Sequence, residues 1–378
     1  MIDLAGGFFY APPVDLERVG REFEIAGTFL RAAPHGAGHI NDTFLTEYEQ
    51  SGRRVRYVVQ RLNRRVFPDP VGMMENIRRV LEHLHGRITT RSSEEGERRT
   101  LTLVPARNGG GYCRDEAGEI WRTYRFIEGS RSVDVAESPR QAYEAARAFG
   151  AFQKMLIDLP GPPLKETLPG FHDTPRRLEV LQAAVSADTE NRASQAKAEI
   201  GFVFRRSDLA GRLLRLRAEG TLSERVAHND TKLNNVLLDA ITGESLCVID
   251  LDTVMPGLGP WDFGDLVRSA ANPAAEDEQD LKKVHLDVTL FEGIARGWLE
   301  ALSGVLPSSE RAALVKAAMG ITLECGARFL TDHLAGDRYF RVHRPGQNLD
   351  RCRVQLALLR SMEEREEDLE GIVQGCKT

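Results

Sequence analysis

Eight consecutive residues, His228-Asn229-Asp230-Thr231-Lys232-Leu233-Asn234-Asn235, constrain this chain more than any other feature. An apolar run from Leu246 to Ile249 begins eleven residues after them and delivers a second acid, Asp250. These are the parts that phosphoryl transfer needs: Asp230 to accept the proton of a hydroxyl, and Asn235 and Asp250 to hold magnesium on nucleotide phosphates. Lys232, two residues past Asp230, is placed to reach the γ-phosphate where charge develops. Val236 to Asp239 reads as a strand, Thr242-Gly243 as a turn, and Leu246 to Ile249 as an antiparallel return. A turn centred between Thr242 and Gly243 would pair Leu237 with Val248 and Asn235 with Asp250, their Cβ atoms roughly 5 Å apart on one face. The length of the Asp239 to Leu246 stretch can shift that register, so the expectation is adjacency of the two ligands.

A literal Asp-Phe-Gly stands at Asp262, Phe263 and Gly264, but it follows a Pro/Gly-rich loop from Met255 to Pro260 and runs into a helical pattern. For Asp262 and Asp265, capping and the positive end of a helix dipole are the expected roles. Asp252 either faces the same cavity as Asp250 or braces the loop. His228 is expected to hold the loop through backbone hydrogen bonds.

At 378 residues the chain exceeds what one hydrophobic core usually serves, so two lobes are expected. A formal net charge of -6 and a pI near 5.9 argue against a nucleic-acid partner. Five scattered cysteines, never spaced as C-x-x-C, indicate neither a disulfide framework nor a zinc site. With no basic leader at the N-terminus and no apolar stretch near the ~20 residues that span a bilayer, the expectation is a cytosolic protein, a monomer or weak oligomer.

Phe29 to Ala33, Thr43 to Tyr48 and Val55 to Leu62 read as strands, and the first two flank Gly36-Ala37-Gly38-His39-Ile40-Asn41. Such a glycine pattern is equally a bland tight turn; beside the 228–250 constellation, Gly36, Gly38 and Asn41 read as a loop whose amides approach phosphate oxygens. A helix from about Val71 to Leu84 follows, then strands at Leu101 to Val104 and Ile120 to Ile127. Glu128-Gly129 is a break, expected as the hinge, with adenine against the backbone around Phe126 and Glu128. Beyond Pro139 the pattern turns helical, at 140–156, 174–185, 281–302, 308–334 and 349–373. About five antiparallel strands with one helix, followed by a larger, mainly helical part, is an α+β, bilobal protein-kinase-like order, with residues 1–128 as the small N-lobe and 129–378 as the C-lobe.

The octet, the following Ile249-Asp250-Leu251-Asp252 and this lobe order resemble the aminoglycoside phosphotransferase-like branch of the kinase fold. The chain is closer still to the N-acetylhexosamine 1-kinases: GAGHIN, FPD, WRTYRFIE, FHDTP, HNDTKLNN, VIDLDTVMPG, DFGD, ECGARFL and GDRYF all resemble that family and spread over nearly the whole chain. The resemblance implies ATP with Mg2+ as donor and transfer of the γ-phosphoryl group to the anomeric hydroxyl of GlcNAc or GalNAc. It also implies that His39, Arg328 and Tyr339 line the sugar pocket with Asp230. An isolated histidine such as His39 is as readily a structural hydrogen-bonder, and Arg328 and Tyr339 without the resemblance are ordinary helix-surface or packing residues.

One departure stands out. Gln60 occupies the third-strand position where kinases commonly carry a phosphate-binding lysine, and the neighbouring Arg61 points to the opposite face by strand alternation. Either another cation substitutes, or nucleotide affinity rests on magnesium and the loop. Two other functions stay open: a kinase of the same fold acting on an aminoglycoside, amino sugar or amino alcohol, and a nucleotide-binding regulator without transfer. A polycationic acceptor wants an acidic pocket, which Arg328 and His39 oppose.

Overall fold

The computed structural model describes residues 15–36, 40–88 and 93–376. Contacts divide the chain into two compact units, Met1–Pro70 with Thr102–Phe126, and Val71–Leu101 with Ile127–Thr378. The candidate residues Gly38 and His39 lie outside the described residues.

In the first unit a short helix α1 (Leu16–Arg21) precedes the strands β1 (Thr28–Pro34), β2 (Asp42–Gln50), β3 (Arg53–Arg61), β4 (Cys113–Arg114) and β5 (Ile120–Arg125). They form one antiparallel sheet in the order β1-β2-β3-β5-β4. Ser51 and Gly52 both have positive φ, 51° and 82°, the backbone that a tight β2–β3 hairpin requires. Alternation gives the sheet two chemistries. Tyr48, Tyr57, Val59 and Trp121 pack with Phe23 and Val19 on one face, while Thr43, Gln60 and Arg122 form a cross-strand row on the other. The strand expected at Leu101 to Val104 is absent: Leu103 makes only an isolated bridge to Tyr124, and the fourth strand is Cys113–Arg114.

The second unit holds α2 (Pro70–Arg87), α3 (Ser93–Arg99), β6 (Ser130–Arg131), α4 (Pro139–Leu156), α5 (Thr174–Ala187), α6 (Lys197–Phe204), α7 (Ser207–Ala218), β7 (Glu224–Ala227), β8 (Val236–Asp239), β9 (Ser245–Val248), β10 (Met255–Leu258), α8 (Gly259–Ala270), α9 (Val288–Ala301), α10 (Ser308–Leu334), α11 (Gln347–Glu363) and α12 (Glu366–Gly375). Helix α2, read from the sequence as part of the strand-rich segment, packs with this unit instead. Its buried Asn76 exchanges two hydrogen bonds with the Lys165 backbone and donates to the Val254 carbonyl. The 27-residue α10 runs through the core against α5, α7, α8, α11 and α12. Phe263 meets Phe291 and Trp298 edge-on.

Three boundaries differ from the periodicity. The apolar pattern of 281–302 does not make one helix, because Asp287 accepts from the Thr289 and Leu290 amides and starts α9 there. The pattern of 349–373 breaks at Arg365, and Glu366, Glu367 and Asp368 open a new helix at its favourable end. The Pro/Gly-rich stretch after Met255 is a strand, paired with β7 from Met255↔Ala227 to Leu258↔Glu224.

The Asp-Phe-Gly triplet lies in the first half of α8, and its glycine has a packing reason. A Cβ on Gly264 would sit 2.7 Å from the Ala317 carbonyl oxygen of α10. Gly264→Ala is therefore expected to destabilise the protein by about 1–3 kcal/mol; an unchanged urea midpoint would disprove this close approach.

Among the described residues, no helix is long and apolar enough to cross a membrane.

Candidate active site

The octet lies between β7 and β8, and its backbone is fixed from three sides. Asp262, fully buried on α8, accepts the amides of His228 (2.9 Å) and Asn229 (2.7 Å) and the side-chain amide of Gln153 (2.6 Å). It does not cap its own helix, as the sequence suggests, but clamps the loop. Burial raises its pKa, against the pull of His228 and the donated hydrogen bonds. Thr253 Oγ1 donates to the His228 carbonyl, and Thr231 Oγ1 to the Asp262 carbonyl. His228 Nε2 faces the Ile249 carbonyl at 2.9 Å while Nδ1 accepts from the Asp230 amide, so the proton sits on Nε2.

Asn229 and Asp250 both take left-handed backbone, φ 64° and 60°. Non-glycine residues held there store strain of order 1 kcal/mol; one directly precedes Asp230 and the other is the second candidate acid itself. The Asn229 side chain is anchored on the carbonyls of Ala227, Thr253 and Met255.

Half-buried Asp230 meets Lys232 Nζ at 3.2 Å, and Asn235 Nδ2 donates to its carbonyl (2.8 Å) and carboxylate (3.1 Å). Burial pushes the carboxyl pKa up, but Lys232, His228 and Arg268 outweigh it and the net direction is down. An ionised Asp230 orients a hydroxyl more than it strips one. Lys232 is raised, chiefly by Asp230, against desolvation and with help from Asp250 and Asp265. The Ile249 amide donates to the Asn235 carbonyl at 2.9 Å, which puts the following residue, Asp250, next to the end of the octet.

The hairpin register corrects the expected pairing by one residue. Val236 pairs with Val248 and Leu237 with Cys247, with a further shift before Leu238↔Ser245. Asp239 causes the slip by folding the turn on itself, its Oδ1 accepting from the Ile241 and Thr242 amides while Arg98 holds Oδ2. Asn235 thus bonds Ile249 through its carbonyl, and Asp250 leaves the strand through its left-handed turn instead of facing Asn235 across the ladder. Asn235 Nδ2 is committed to Asp230, which orients Oδ1 as the acceptor for a cation, and Asp250 is exposed. No group of three or more His, Cys, Asp or Glu able to hold a metal occurs among the described residues. One amide oxygen and one carboxylate suit magnesium, which keeps water and phosphate ligands, better than a metal needing a full protein cage.

Behind the octet lies a network the sequence reading did not assign. His172 Nδ1 faces Glu324 Oε1 at 3.0 Å and Nε2 faces the Asn229 carbonyl at 3.2 Å, while Thr174 Oγ1 donates to Glu324 Oε2 at 2.6 Å. Both partners of the ring are acceptors, so both nitrogens donate and His172 is an imidazolium. Burial lowers its pKa, but Glu324 outweighs burial and the net direction is up; Glu324 itself is lowered, burial being outweighed by His172. The FHDTP and ECGARFL segments contained these residues, but nothing in their spacing joins positions so far apart in the chain.

A pH dependence follows from those directions. A raised histidine stabilises fully below about pH 6.5 and loses that contribution as pH rises through its folded value. The lowered Glu324 stabilises above its unfolded value and loses it as pH falls. Urea unfolding is thus expected to show declining stability above neutrality, with that component missing in His172→Gln; an identical alkaline slope in both proteins would refute the pair.

One helical turn along α10 from Glu324, the half-buried Arg328 places its guanidinium 5.1 Å from the Phe171 ring, 5.6 Å from Phe340 and 6.0 Å from Tyr339. Burial lowers the Arg328 pKa, but the charges around it, Glu324 foremost, outweigh burial and the net direction is up. No carboxylate among the described residues forms an ion pair with Arg328. Tyr339 is 51 % exposed.

In the first unit, Gly36 has φ 75° and begins the turn between β1 and β2. Asn41 Oδ1 accepts from the Asn63 amide at 3.0 Å, closing the turn onto the end of β3. Gln60 lies between Thr43 and Arg122. Phe126 stacks under Arg56 at 4.0 Å and meets His35 edge-on. In the second unit, the Glu128 carbonyl accepts from Arg98 Nε at 3.1 Å.

The model of the phosphotransferase enzyme family (APH) matches residues 31–301, well over half of the chain. The chain belongs to this phosphotransferase enzyme family. Solved structures share its protein-kinase-like fold. An aminoglycoside phosphotransferase from Alicyclobacillus acidocaldarius superposes with a TM-score of 0.63 at 14% identity, over 96% of this chain and 97% of that one. A choline kinase from Cryptosporidium parvum gives 0.57 at 14% identity, over 94% and 96%. A spectinomycin phosphotransferase in complex with ADP and spectinomycin gives 0.50 at 12% identity, over 95% and 96%. At these identities the likeness carries the fold and not the acceptor. The APH match includes the octet, the hairpin and Asp262, but ends before Glu324, Arg328 and Tyr339.

Proposed function

We propose that this phosphotransferase is an ATP-dependent small-molecule kinase that phosphorylates the anomeric hydroxyl of an N-acetylhexosamine, GlcNAc or GalNAc, to give the sugar 1-phosphate. The observation that supports the reading is the joint presence, in one unit, of Asp230 held by Lys232 and Asn235 and of Arg328 one helical turn from Glu324, which braces the octet through His172 and the Asn229 carbonyl. Asp230 orients the acceptor hydroxyl, and Lys232 meets the charge that grows on the transferred group. Bringing acceptor and phosphate into line removes roughly 7–11 kcal/mol of barrier, so the clamping of the octet by Asp262 serves the chemistry directly.

Gly36, Gly38 and Asn41 form the phosphate loop in this reading, with Gln60 below it and the backbone of Phe126 to Glu128 against adenine. ATP as donor is favoured by the ADP found in the spectinomycin phosphotransferase of the same fold. Asn235 and Asp250 would hold Mg2+, whose charge when bound offsets that of the phosphates. In the second unit, Arg328 and Tyr339 would line the sugar pocket with Asp230, and the resemblance adds His39 to them. An unpaired, aromatic-caged guanidinium suits hydroxyl and acetamido oxygens and repels a polycationic acceptor such as an aminoglycoside.

ADP release from the purified protein, with GlcNAc, GalNAc, glucosamine, choline and streptomycin as acceptors, tests the reading. The expected result is turnover with the acetylated sugars and a product whose phosphorus signal couples to the anomeric proton. Turnover with choline or streptomycin alone overturns the acceptor assignment, and ATP binding without transfer to any acceptor favours a regulator.

A further inference from the structure

Two guanidinium groups of the second unit converge on one residue, Phe171. Arg328 of α10 lies 5.1 Å from its ring, and Arg177, in the first turn of α5, donates from Nη2 to its carbonyl at 3.0 Å. The convergence follows from how the two helices meet. Thr174 Oγ1 donates to Glu324 Oε2 at 2.6 Å, and Arg177 and Arg328 stand one turn further along their respective helices. Phe171 is in turn tied to the octet, because the next residue, His172, faces the Asn229 carbonyl at 3.2 Å, directly before Asp230.

Charge around Phe171 is unbalanced. Both oxygens of Glu324 are committed, one to His172 and one to Thr174, and Asp173 Oδ1 is committed to the Arg176 amide. Neither arginine forms an ion pair with a carboxylate among the described residues, and Arg177 Nε makes no hydrogen bond. Burial lowers the Arg177 pKa and Arg328 lowers it further, against the pull of Glu324. Both arginines are half-buried, so each keeps part of its surface open to solvent. A guanidinium carries donors and no acceptor. Two of them at one residue favour a ligand oxygen that accepts, and they oppose an ammonium twice, by charge and by setting donor against donor.

Resting on the hexosamine reading, we infer that Arg177 joins Arg328 in binding the acceptor and that the pair reads the acetamido oxygen, so that acetylated sugars are taken and free amino sugars refused. Arg177 also closes the turn before α5, where the Asp173 amide bonds the Gly170 carbonyl. A purely structural role of that kind would weaken both classes of sugar alike.

Steady-state ADP release by the full chain with GlcNAc and with glucosamine tests it in the wild type, Arg177→Gln and Arg177→Met, each checked for cooperative melting. The wild type is expected to favour GlcNAc over glucosamine in kcat/KM by at least about 100-fold. Each variant should narrow that ratio at least about tenfold, through a higher KM for GlcNAc and a gain with glucosamine, while kcat for GlcNAc stays within about threefold. Either variant decides the matter if the other melts poorly. A wild type that takes both sugars equally, an unchanged ratio in a folded variant, an equal loss for both sugars, or two variants that both fail to fold overturns this inference alone. A wild type that turns over neither sugar sinks the hexosamine reading and the inference with it.

Discussion

Asp230→Asn is expected to lower kcat by about 100- to 10,000-fold while leaving the Kd for MgATP within about twofold. The asparagine preserves shape and can still accept from Asn235, so the loop geometry held at 2.8 and 3.1 Å survives. What disappears is the negative charge proposed to face the acceptor hydroxyl, a charge whose value would arise only as the proton moves. Asp250→Asn differs in kind: it removes an exposed carboxylate proposed to hold magnesium, so it is expected to weaken nucleotide binding as well as turnover. Single-turnover kinetics combined with calorimetry separates the two, and an equal loss of ATP affinity in both variants would refute these roles. Asp230→Asn should also free Lys232 from its 3.2 Å partner, so a small gain in ATP affinity is compatible with the role and a large loss is not.

The second large effect is expected at Asp262, which touches no reacting atom. Asp262→Ala leaves the amides of His228 and Asn229 and the Gln153 side chain without their acceptor in a fully buried site. Each orphaned donor costs about 1–3 kcal/mol, so a loss of about 3–5 kcal/mol of stability is expected, with kcat falling in whatever protein stays folded. Asp262→Asn retains one acceptor oxygen but turns an NH2 group toward other donors, so it should fall between alanine and wild type. Urea midpoints for the three proteins check the order, and an asparagine variant as stable as wild type would show that the clamp carries little weight.

The sequence exposed the candidate catalytic octet because its pattern is local: Asp230, Lys232 and Asn235 lie within six residues. The helix Ser308–Leu334 was equally legible, since its apolar period runs unbroken. Asp262 was harder. A carboxylate in the first turn of a helix has a local explanation, capping, and only the fold reveals that its acceptors face a loop more than thirty residues away. The hairpin register failed for a related reason, since pairing arithmetic does not include a turn aspartate that gathers two amides and displaces one strand. Arg122 and Gln60 are separated by 62 residues, and no pattern along the chain predicts that an amide on one strand steadies a cation on the next. His172 and Glu324 are 152 residues apart and invisible by the same logic.

Helix α10 carries Glu324 and Arg328 one turn apart, the first bracing the octet through His172 and the Asn229 carbonyl, the second proposed to meet the acceptor. In the proposed function, recognition and reactivity therefore share one rigid rod. Any drift of that rod to admit a bulkier acceptor would drag the octet with it, so new specificities should be reached by trading side chains on the rim around Tyr339 rather than by moving the scaffold.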